Sequence, residues 1–547
     1  MTQAGDRSVS RSSVGAVADV PPEPDEVRTA EVIGSFCLAT DLAMGLPFEH
    51  GLQSTLVAVR VGERMGVDTA AANQTYYGCL LAFAGCTTDA EISSALFADG
   101  ALLKYFNPVM FGSPTETLRG IMKALADPDS PPLVRAMQGT VRLPGAVRGH
   151  QRHNVAMCEV AEMLCDRLGM PRDVRDLVRG FTARWDGKGT PRGLGGEELP
   201  VALRIMHVAR DATFQYLLGG TDHVLGVMRD RSGKAFDPDV VTVLVEGMPD
   251  ILAFDDSGSV WAEMLAQEPG ELLMLRGDEV DRALGAMGDF ADLISSYFIG
   301  HSAAVAQLAG AAAARLDLVP SDVVAVRRAA MVHDLGRVAV GTSVWNKPTA
   351  LTADEWEHVR LHAYHTERVL SRSPALIKLG WIAGAHHERL DGSGYHRGVT
   401  APSLAMPARL LAVADAYCTM IEPRPHRTAR SPEEAARALG EAASAGRIDP
   451  DAVAAVLEAA GAAVPKMARP AGLTDREAQV ISMVAKGMQT KQVGHRLGIS
   501  AKTADRHLQN AYAKIGVSSR AAAALFAMQY GLTSWGELPI PDTRNRS

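Results

Sequence analysis

The strongest constraint on the fold is that part of this chain occurs twice. The segment Arg184-Trp-Asp-Gly-Lys-Gly-Thr-Pro-Arg-Gly-Leu, running on to Leu199-Pro-Val-Ala-Leu-Arg204, matches Arg389-Leu-Asp-Gly-Ser-Gly-Tyr-His-Arg-Gly-Val, running on to Leu404-Ala-Met-Pro-Ala-Arg409. The spacing is 205 positions throughout, from Asp186 and Asp391 to Arg204 and Arg409. Further on, Phe236-Asp-Pro-Asp-Val-Val recurs as Ile448-Asp-Pro-Asp-Ala-Val. Helical periodicity dominates both copies, as at Leu56, Val59, Arg60 and Glu63 or Val305, Leu308, Ala309 and Ala312. The chain must therefore accommodate one helical scaffold two times.

The second copy carries groups that the first lacks. His301, the pair His333-Asp334, His362, the pair His386-His387 and Asp415 are all metal-type ligands beside apolar stretches such as Ala329–Val332 and Leu411–Ala414. Burying an unpartnered imidazole or carboxylate costs several kcal/mol. Seven such groups approaching one core need a shared partner, and a pair of divalent cations supplies it most simply. Neutral imidazole suits Fe, Mn, Zn or Ni, and a carboxylate can bridge two ions. Any one histidine can be an ordinary core or surface residue, as the remaining histidines, from His50 to His507, illustrate. The whole series is harder to explain that way.

The repeat register shows what the first copy holds at the same places. Counting the His301–His333 separation from His50 lands on Ala82-Phe83, His386-His387 maps to Phe181-Thr182, and Asp415 maps to Arg210. Met157 and Cys158 stand near the place of His362, so only His50 survives. The first copy is expected to bind no metal and to persist as a helical scaffold for packing, dimerisation or sensing a small molecule.

At 547 residues the chain is too long for a single core, and about three or four domains are expected. A net charge of −8 argues against a chain that coats nucleic acid throughout, but it allows a local basic patch. The six cysteines show no C-x-x-C spacing and read as free thiols in a reducing cytosol. No apolar run approaches the roughly 20 residues needed to span a bilayer. The stretch from Met1 to about Pro24 is polar and Pro-containing without an apolar core, so it reads as disordered rather than as a signal peptide. A cytoplasmic location without a membrane partner is expected.

In the second copy His333-Asp-Leu-Gly-Arg, Asn346-Lys-Pro-Thr-Ala-Leu-Thr, Arg360-Leu-His, His386-His-Glu-Arg-Leu-Asp-Gly-Ser-Gly-Tyr and Val413-Ala-Asp-Ala-Tyr occur in order. Together they resemble the HD-GYP branch of the HD phosphohydrolases over about residues 290 to 465. The resemblance implies a helical domain that binds two or three metal ions and hydrolyses cyclic di-GMP. It assigns His301, His333, Asp334 and Asp415 to the basic site, with Asp334 bridging to a second ion held by His362, His386 and His387. It also implies catalytic roles for His333, Asp334 and Arg337, and contacts to substrate phosphates from Arg337, Arg389 and Tyr395. Paired ions would acidify water and stabilise both oxygens of an in-line phosphodiester displacement.

Three positions depart from the family pattern. Arg337 stands for a lysine, which keeps charge but not shape. The signature Gly-Tyr-Pro reads Gly394-Tyr395-His396; histidine does not fix φ as proline does, so an altered loop is expected. Tyr297 stands one turn before His301 where three-ion members carry glutamate, so two ions are expected, iron or manganese first among the candidates.

After the stretch Val464 to Gly472 the chemistry changes. Thr474-Asp-Arg-Glu477 is a capping box opening a helix that Gly487 closes. A short helix from about Lys491 to Leu497, the turn Gly498-Ile-Ser500 and a helix from Ser500 to Lys514 make a helix-turn-helix. Between 473 and 534 eight basic residues (Arg476, Lys486, Lys491, Arg496, Lys502, Arg506, Lys514, Arg520) face only Asp475, Glu477 and Asp505. A basic island in an acidic chain is the electrostatic footprint of nucleic-acid binding.

The residues Leu473-Thr-Asp-Arg-Glu, Val484-Ala-Lys-Gly, Ile499-Ser-Ala-Lys-Thr, His507-Leu, Lys514-Ile-Gly-Val and Ser519-Arg-Ala-Ala-Ala resemble the LuxR-type DNA-binding domain over its whole length. That resemblance puts the helix Ser500–Lys514 in the major groove. Lys502, Thr503, Asp505 and Arg506 would lie at base edges or adjacent phosphates, and Lys491 and Lys514 at phosphates. It implies a homodimer formed through the last helix, about Arg520 to Tyr530. Ala504 departs from it, standing where a larger aliphatic residue is usual.

The expected architecture is all-α: a disordered N-terminus (1–28), a degenerate HD-GYP-like domain (29–285), a metal-dependent HD-GYP-like domain (286–463), a linker (464–472), a four-helix LuxR-type domain (473–535) and a tail (536–547). The expected function is a DNA-binding regulator with a phosphodiesterase domain acting on a phosphodiester such as cyclic di-GMP. The alternative is a catalytically slow metal- and nucleotide-binding sensor that controls the DNA-binding module.

Overall fold

A computed structural model of the protein describes residues 26–87, 105, 107–125, 131–254 and 259–534. Among them the regular structure is mostly helical, and no helix is long and apolar enough to cross a membrane. The expected N-terminal segment 1–24 and the tail from 536 lie outside the described residues.

Helix starts follow local chemistry. Capping boxes open Ala353–Leu370 (Thr352 with Glu355), Pro432–Ser444 (Ser431 with Glu434) and Asp475–Ala485 (Thr474 with Glu477). Asp237 and Asp449 cap the recurring Asp-Pro-Asp segments as they enter Pro238–Glu246 and Pro450–Ala459.

The repeat is visible as geometry. Each copy begins with helices in the same order: Thr29–Met44, His50–Met65 and Thr69–Leu80 in the first, and Asp278–Asp292, His301–Arg315 and Pro320–Val332 in the second. Asp41 accepts the Gly51 N–H, and Asp292 the Ser302 N–H. Arg204 pairs with Asp237 and Arg409 with Asp449, each at 2.8 Å. A Cβ on Gly85 would stand 2.2 Å from the Met157 carbonyl oxygen, and one on Gly336 2.1 Å from that of His362. Met157 is thus the counterpart of His362, and only glycine permits the approach in either copy.

The two copies do not fold as separate bodies. One hydrophobic cluster runs through both, with Phe36 of the first meeting Phe290 of the second edge-on at 4.8 Å. The segments ahead of their first helices pair antiparallel, Glu26–Arg28 against Met274–Arg276. Residues 26–28, expected to be disordered, are therefore a strand. The expected boundary at 285/286 falls inside the helix Asp278–Asp292, because the second copy starts at that helix just as the first starts at Thr29–Met44. The C-terminal unit has its own small core, built on Val480, Ile481, Val484, Val493, Leu508 and Ala527.

Candidate metal centre and DNA-reading helix

Five helices bring the seven ligand-type groups together. His301 opens His301–Arg315 directly after Gly300, whose φ of 82° turns the chain into the helix. His333 and Asp334 end Pro320–Val332, His362 lies within Ala353–Leu370, His386 and His387 follow Ile377–Gly384, and Asp415 lies within Met406–Ile421. All are buried except His387, which is half-buried.

Two sets form: His301, His333, Asp334 and Asp415, and His362, His386 and His387, the ligand atoms of each set within 4.8 Å of one another. Asp334 stands between them. Its Oδ2 lies 2.9 Å from His333 Nε2 and 3.4 Å from His301 Nε2, while its Oδ1 lies 3.3 Å from His362 Nε2 and 3.5 Å from His386 Nε2. Asp415 Oδ1 closes the first set, 3.2 Å from His301 Nε2.

The donors fit cations. Nδ1 of His333, His362 and His386 each faces a carbonyl three residues back, Ala330, Val359 and Ala383, at 2.8, 2.5 and 2.6 Å. Each Nδ1 is then the donor, and each Nε2 aims a lone pair inward. His362 Nε2 and His386 Nε2 face each other at 3.1 Å, an arrangement of two acceptors that needs a positive partner between them. His333 Nε2 and Asp334 Oδ1 are buried without a hydrogen-bond partner, while Asp334 Oδ2 carries an ion pair with Arg337 at 2.6 Å. Such atoms are costly unless an ion satisfies them.

Electrostatics separate the two sets. Burial lowers His386 to about 4 and holds His387 well below its ordinary value. Burial also works against protonation of His333 and His301, but carboxylates override it. Asp334 raises His333 to about 9, and Asp334, Asp415 and Glu422 hold His301 well above its usual value. Burial pushes both site carboxyls up, yet Arg337 and His333 bring Asp334 well below the ordinary range, and the His301 hydrogen bond, with His333 close by, does so for Asp415.

Two contributors escaped the sequence reading. Glu422 Oε2 accepts from His301 Nδ1 at 2.8 Å. Thr366 donates to the His333 carbonyl at 3.0 Å and accepts from the Gly336 N–H at 2.9 Å, fixing the His333-Asp334 turn. Spacing could have found both, since Thr366 is one turn beyond His362 and Glu422 two turns beyond Asp415.

Of the substrate candidates, Arg337 is the most deeply placed. It is paired with Asp334 Oδ2 at 2.6 Å and lies 4.3 Å from the Phe298 ring centroid. Tyr395 stacks on His387 at 4.6 Å under the Arg360 guanidinium. Arg389 is half-buried and donates to the Glu388 carbonyl. The Tyr395–His396 peptide is cis, as is Thr190–Pro191 at the equivalent place in the first copy. Glu388 holds the loop by accepting from the N–H groups of Arg397, Gly398 and Val399. Tyr297, expected to bear on the ion count, is partly exposed and offers its carbonyl to Arg424.

In the first copy a guanidinium lies among the equivalent residues. Arg210, at the place of Asp415, stacks 4.6 Å from the Phe83 ring and 6.0 Å from the Phe181 ring, the counterparts of Asp334 and His386. Burial and the Arg210 charge lower His50 to about 4.

The C-terminal helices are Asp475–Ala485, Thr490–Arg496, Ala501–Ile515 and Arg520–Gln529, and Ser500 caps the third by accepting from the Thr503 N–H at 3.0 Å. Lys491, Lys502, Asp505 and Arg506 are exposed, and Thr503 is half-buried against Ser500. Ala504 is fully buried, so its small side chain faces the core. Lys514 differs from the phosphate contact expected of it. Its ammonium is held by Glu477 at 2.6 Å and by the Gly472 carbonyl at 3.1 Å, inside the module.

Comparison with known families agrees with this division. The HD domain family matches residues 148–240 and 287–452, once in each copy, and the luxR family of bacterial regulatory proteins matches 471–527. The chain therefore carries HD-domain sequence in both copies, followed by a LuxR-type module. A 3'3'-cGAMP-specific phosphodiesterase of Vibrio cholerae is 28% identical over 442 residues, which cover 79% of this chain and 94% of the relative. Cyclic di-GMP phosphodiesterases of Thermotoga maritima (32% identical) and Xanthomonas campestris (36%) match 33% and 28% of this chain, which spans 48% and 41% of their lengths. A crystal structure of a cyclic GMP-AMP specific phosphodiesterase of V. cholerae superposes with a TM-score of 0.57 at 22% identity, over 80% of this chain and 98% of that one. It shares the fold.

Proposed function

We propose that this protein is a metal-dependent cyclic-dinucleotide phosphodiesterase joined to a DNA-reading module. The observation that carries the reading is Asp334, with one carboxylate oxygen toward each of two histidine sets. In it His301, His333, Asp334 and Asp415 hold one divalent ion, and His362, His386, His387 and Asp334 hold a second, iron or manganese. Ions there would acidify water and offset the charge developing on a phosphodiester.

The chain's own residues do the rest. Glu422 and the carbonyls of Ala330, Val359 and Ala383 fix the imidazole tautomers. Tyr395, stacked on His387 under the Arg360 guanidinium, and Arg389 would meet the substrate, and Arg337 is the cation on the bridging carboxylate. The relative that spans both copies is named for 3'3'-cGAMP, while those named for cyclic di-GMP match a shorter part of the chain. The substrate class is therefore a 3'-5'-linked cyclic dinucleotide, with these two as the members to compare. Lys491, Lys502, Thr503, Asp505 and Arg506 face DNA, and the exposed Leu525 and Tyr530 of the last helix suit a homodimer contact.

The test is turnover by manganese- or iron-loaded protein of cyclic di-GMP, 3'3'-cGAMP and a generic phosphodiester. Cleavage of a cyclic dinucleotide is expected, and failure to cleave any of the three would overturn the enzyme reading. The Arg337–Asp334 ion pair, which already sets a cation on the bridging carboxylate, favours a second reading as a slow sensor. Tight binding of one dinucleotide without turnover would select it.

A further inference from the structure

The loop over the metal centre is also the seat of the DNA-reading module. Residues 387–400 supply His387 and Tyr395 to the centre, and the loop closes through an Asp391–Thr400 bridge and the Ala401 N–H donating to the Leu390 carbonyl. Directly on this closure rests Gly531, just past the last helix of the module. A Cβ on Gly531 would stand 3.1 Å from the Ala401 side chain and 3.5 Å from that of Leu390.

Arg409 fastens the joint. Its guanidinium donates to Asp449 at 2.8 Å, to the Ala401 carbonyl at 2.9 Å and to the Gly531 carbonyl, and its Nε to the Leu404 carbonyl at 2.6 Å. Two residues from Asp449 a second fastening holds the other side of the module: Arg469 bridges Asp451 at 2.6 Å and Asp475 at 2.7 Å. The first copy serves as an internal control. Arg204 makes the same pair with Asp237, yet its side chain is 20% exposed against 3% for Arg409. The arginine–aspartate pair belongs to the repeat; its burial under Gly531 belongs to the fusion.

We infer that Arg409 and the 387–404 segment couple the metal centre to the DNA-reading module, so that a phosphodiester seated against Tyr395 and His387 alters how the module is held. The coupling rests on the proposed function for its ligand. It leaves the reading face open, since Lys502 and Arg506 stay exposed while the module is docked. By linkage the effect runs both ways: DNA on the module changes affinity for the phosphodiester by the same factor.

Hydrogen exchange on the full-length manganese-loaded protein tests this, with slowly cleaved phosphorothioate analogues of cyclic di-GMP and 3'3'-cGAMP as probes. In the wild type an analogue should change exchange in 387–400 and, by about fivefold or more, in 520–534. In Ala401→Glu, which drives a charge into the buried contact without touching a ligand group, the first change should remain and the second vanish. Exchange near Gly531 should then be faster by about tenfold even without analogue, because the contact has opened locally. Arg409→Gln should repeat this, and Ala401→Glu covers the case in which loss of the Arg409–Asp449 pair unfolds the domain. A response in 387–400 with none in 520–534, or an Ala401→Glu protein indistinguishable from wild type, would overturn the coupling. If neither analogue moves 387–400 and no dinucleotide is cleaved, the proposed function fails instead. The joint then stands or falls on the unliganded comparison.

Discussion

The clearest single perturbation of the proposed metal centre is Glu422→Gln. One oxygen, Glu422 Oε2, accepts from both His301 Nδ1 and Arg424 Nη2, each at 2.8 Å. The glutamine carbonyl can take over both bonds, so the substitution removes charge while leaving shape and hydrogen bonding in place. What is lost is the carboxylate that would make His301 a more basic ligand. Outer partners of this kind carry about 10–100-fold in metal affinity, equivalent to about 1.4–2.7 kcal/mol at 1.36 kcal/mol per decade. Arg424 is nearly buried and stacked on Phe298, so losing its counter-charge should also lower the melting temperature. The assay is metal content by mass spectrometry across a chelator series, with melting run in parallel. The chelator midpoint should move by one to two decades. A fall in melting temperature with an unmoved midpoint would refute the reasoning, because Glu422 would then be holding Arg424 and not tuning His301.

Three further outcomes follow from the same geometry. Asp334→Ala should lose metal from both sets, because each faces one of its oxygens; two ions per chain in that variant would exclude a bridging role. Arg506→Ala should weaken binding of the module to its DNA site by about 1–3 kcal/mol if it reaches a base edge, with metal content unchanged; wild-type affinity in an anisotropy titration would remove it from the interface. Arg210→Met should lower the melting temperature measurably while leaving metal content and turnover untouched, since it breaks the stacking on Phe83 and Phe181 in the first copy; altered turnover would mean the first copy takes part in catalysis.

Much of this architecture was legible in the chain because the repeat supplied its own alignment. The 205-residue spacing placed Arg210 at Asp415 and Met157 near His362, and the Gly85 and Gly336 contacts bear out the second pairing. The C-terminal helices fell within a residue or two of expectation because a capping box, a serine cap and glycines mark their ends. Three things stayed hidden. The strand Glu26–Arg28 forms only because Met274–Arg276 meets it, and a three-residue pairing has no local signature. The shared core of the two copies is a long-range packing fact, so a boundary drawn from the ligand motifs cut through a helix. Lys514 looked available because its partner Glu477 lies in another helix, 37 residues away.

The close approach at Gly336 bears on how the proposed centre would respond to metal. Main chain, not metal, sets the distance between the His333-Asp334 turn and the helix bearing His362: the glycine lies against the His362 carbonyl, and Thr366 ties the turn to the same helix. The same contact closes in the first copy, around Met157. The proposed site should therefore be preformed by folding, unlike small metallo-domains whose chain orders only when the ion arrives. Stripping the ions should leave the helical circular-dichroism spectrum intact and the protein refillable. Metal affinity will then report the donors themselves, and ions will be discriminated by how well they suit a cage of fixed size.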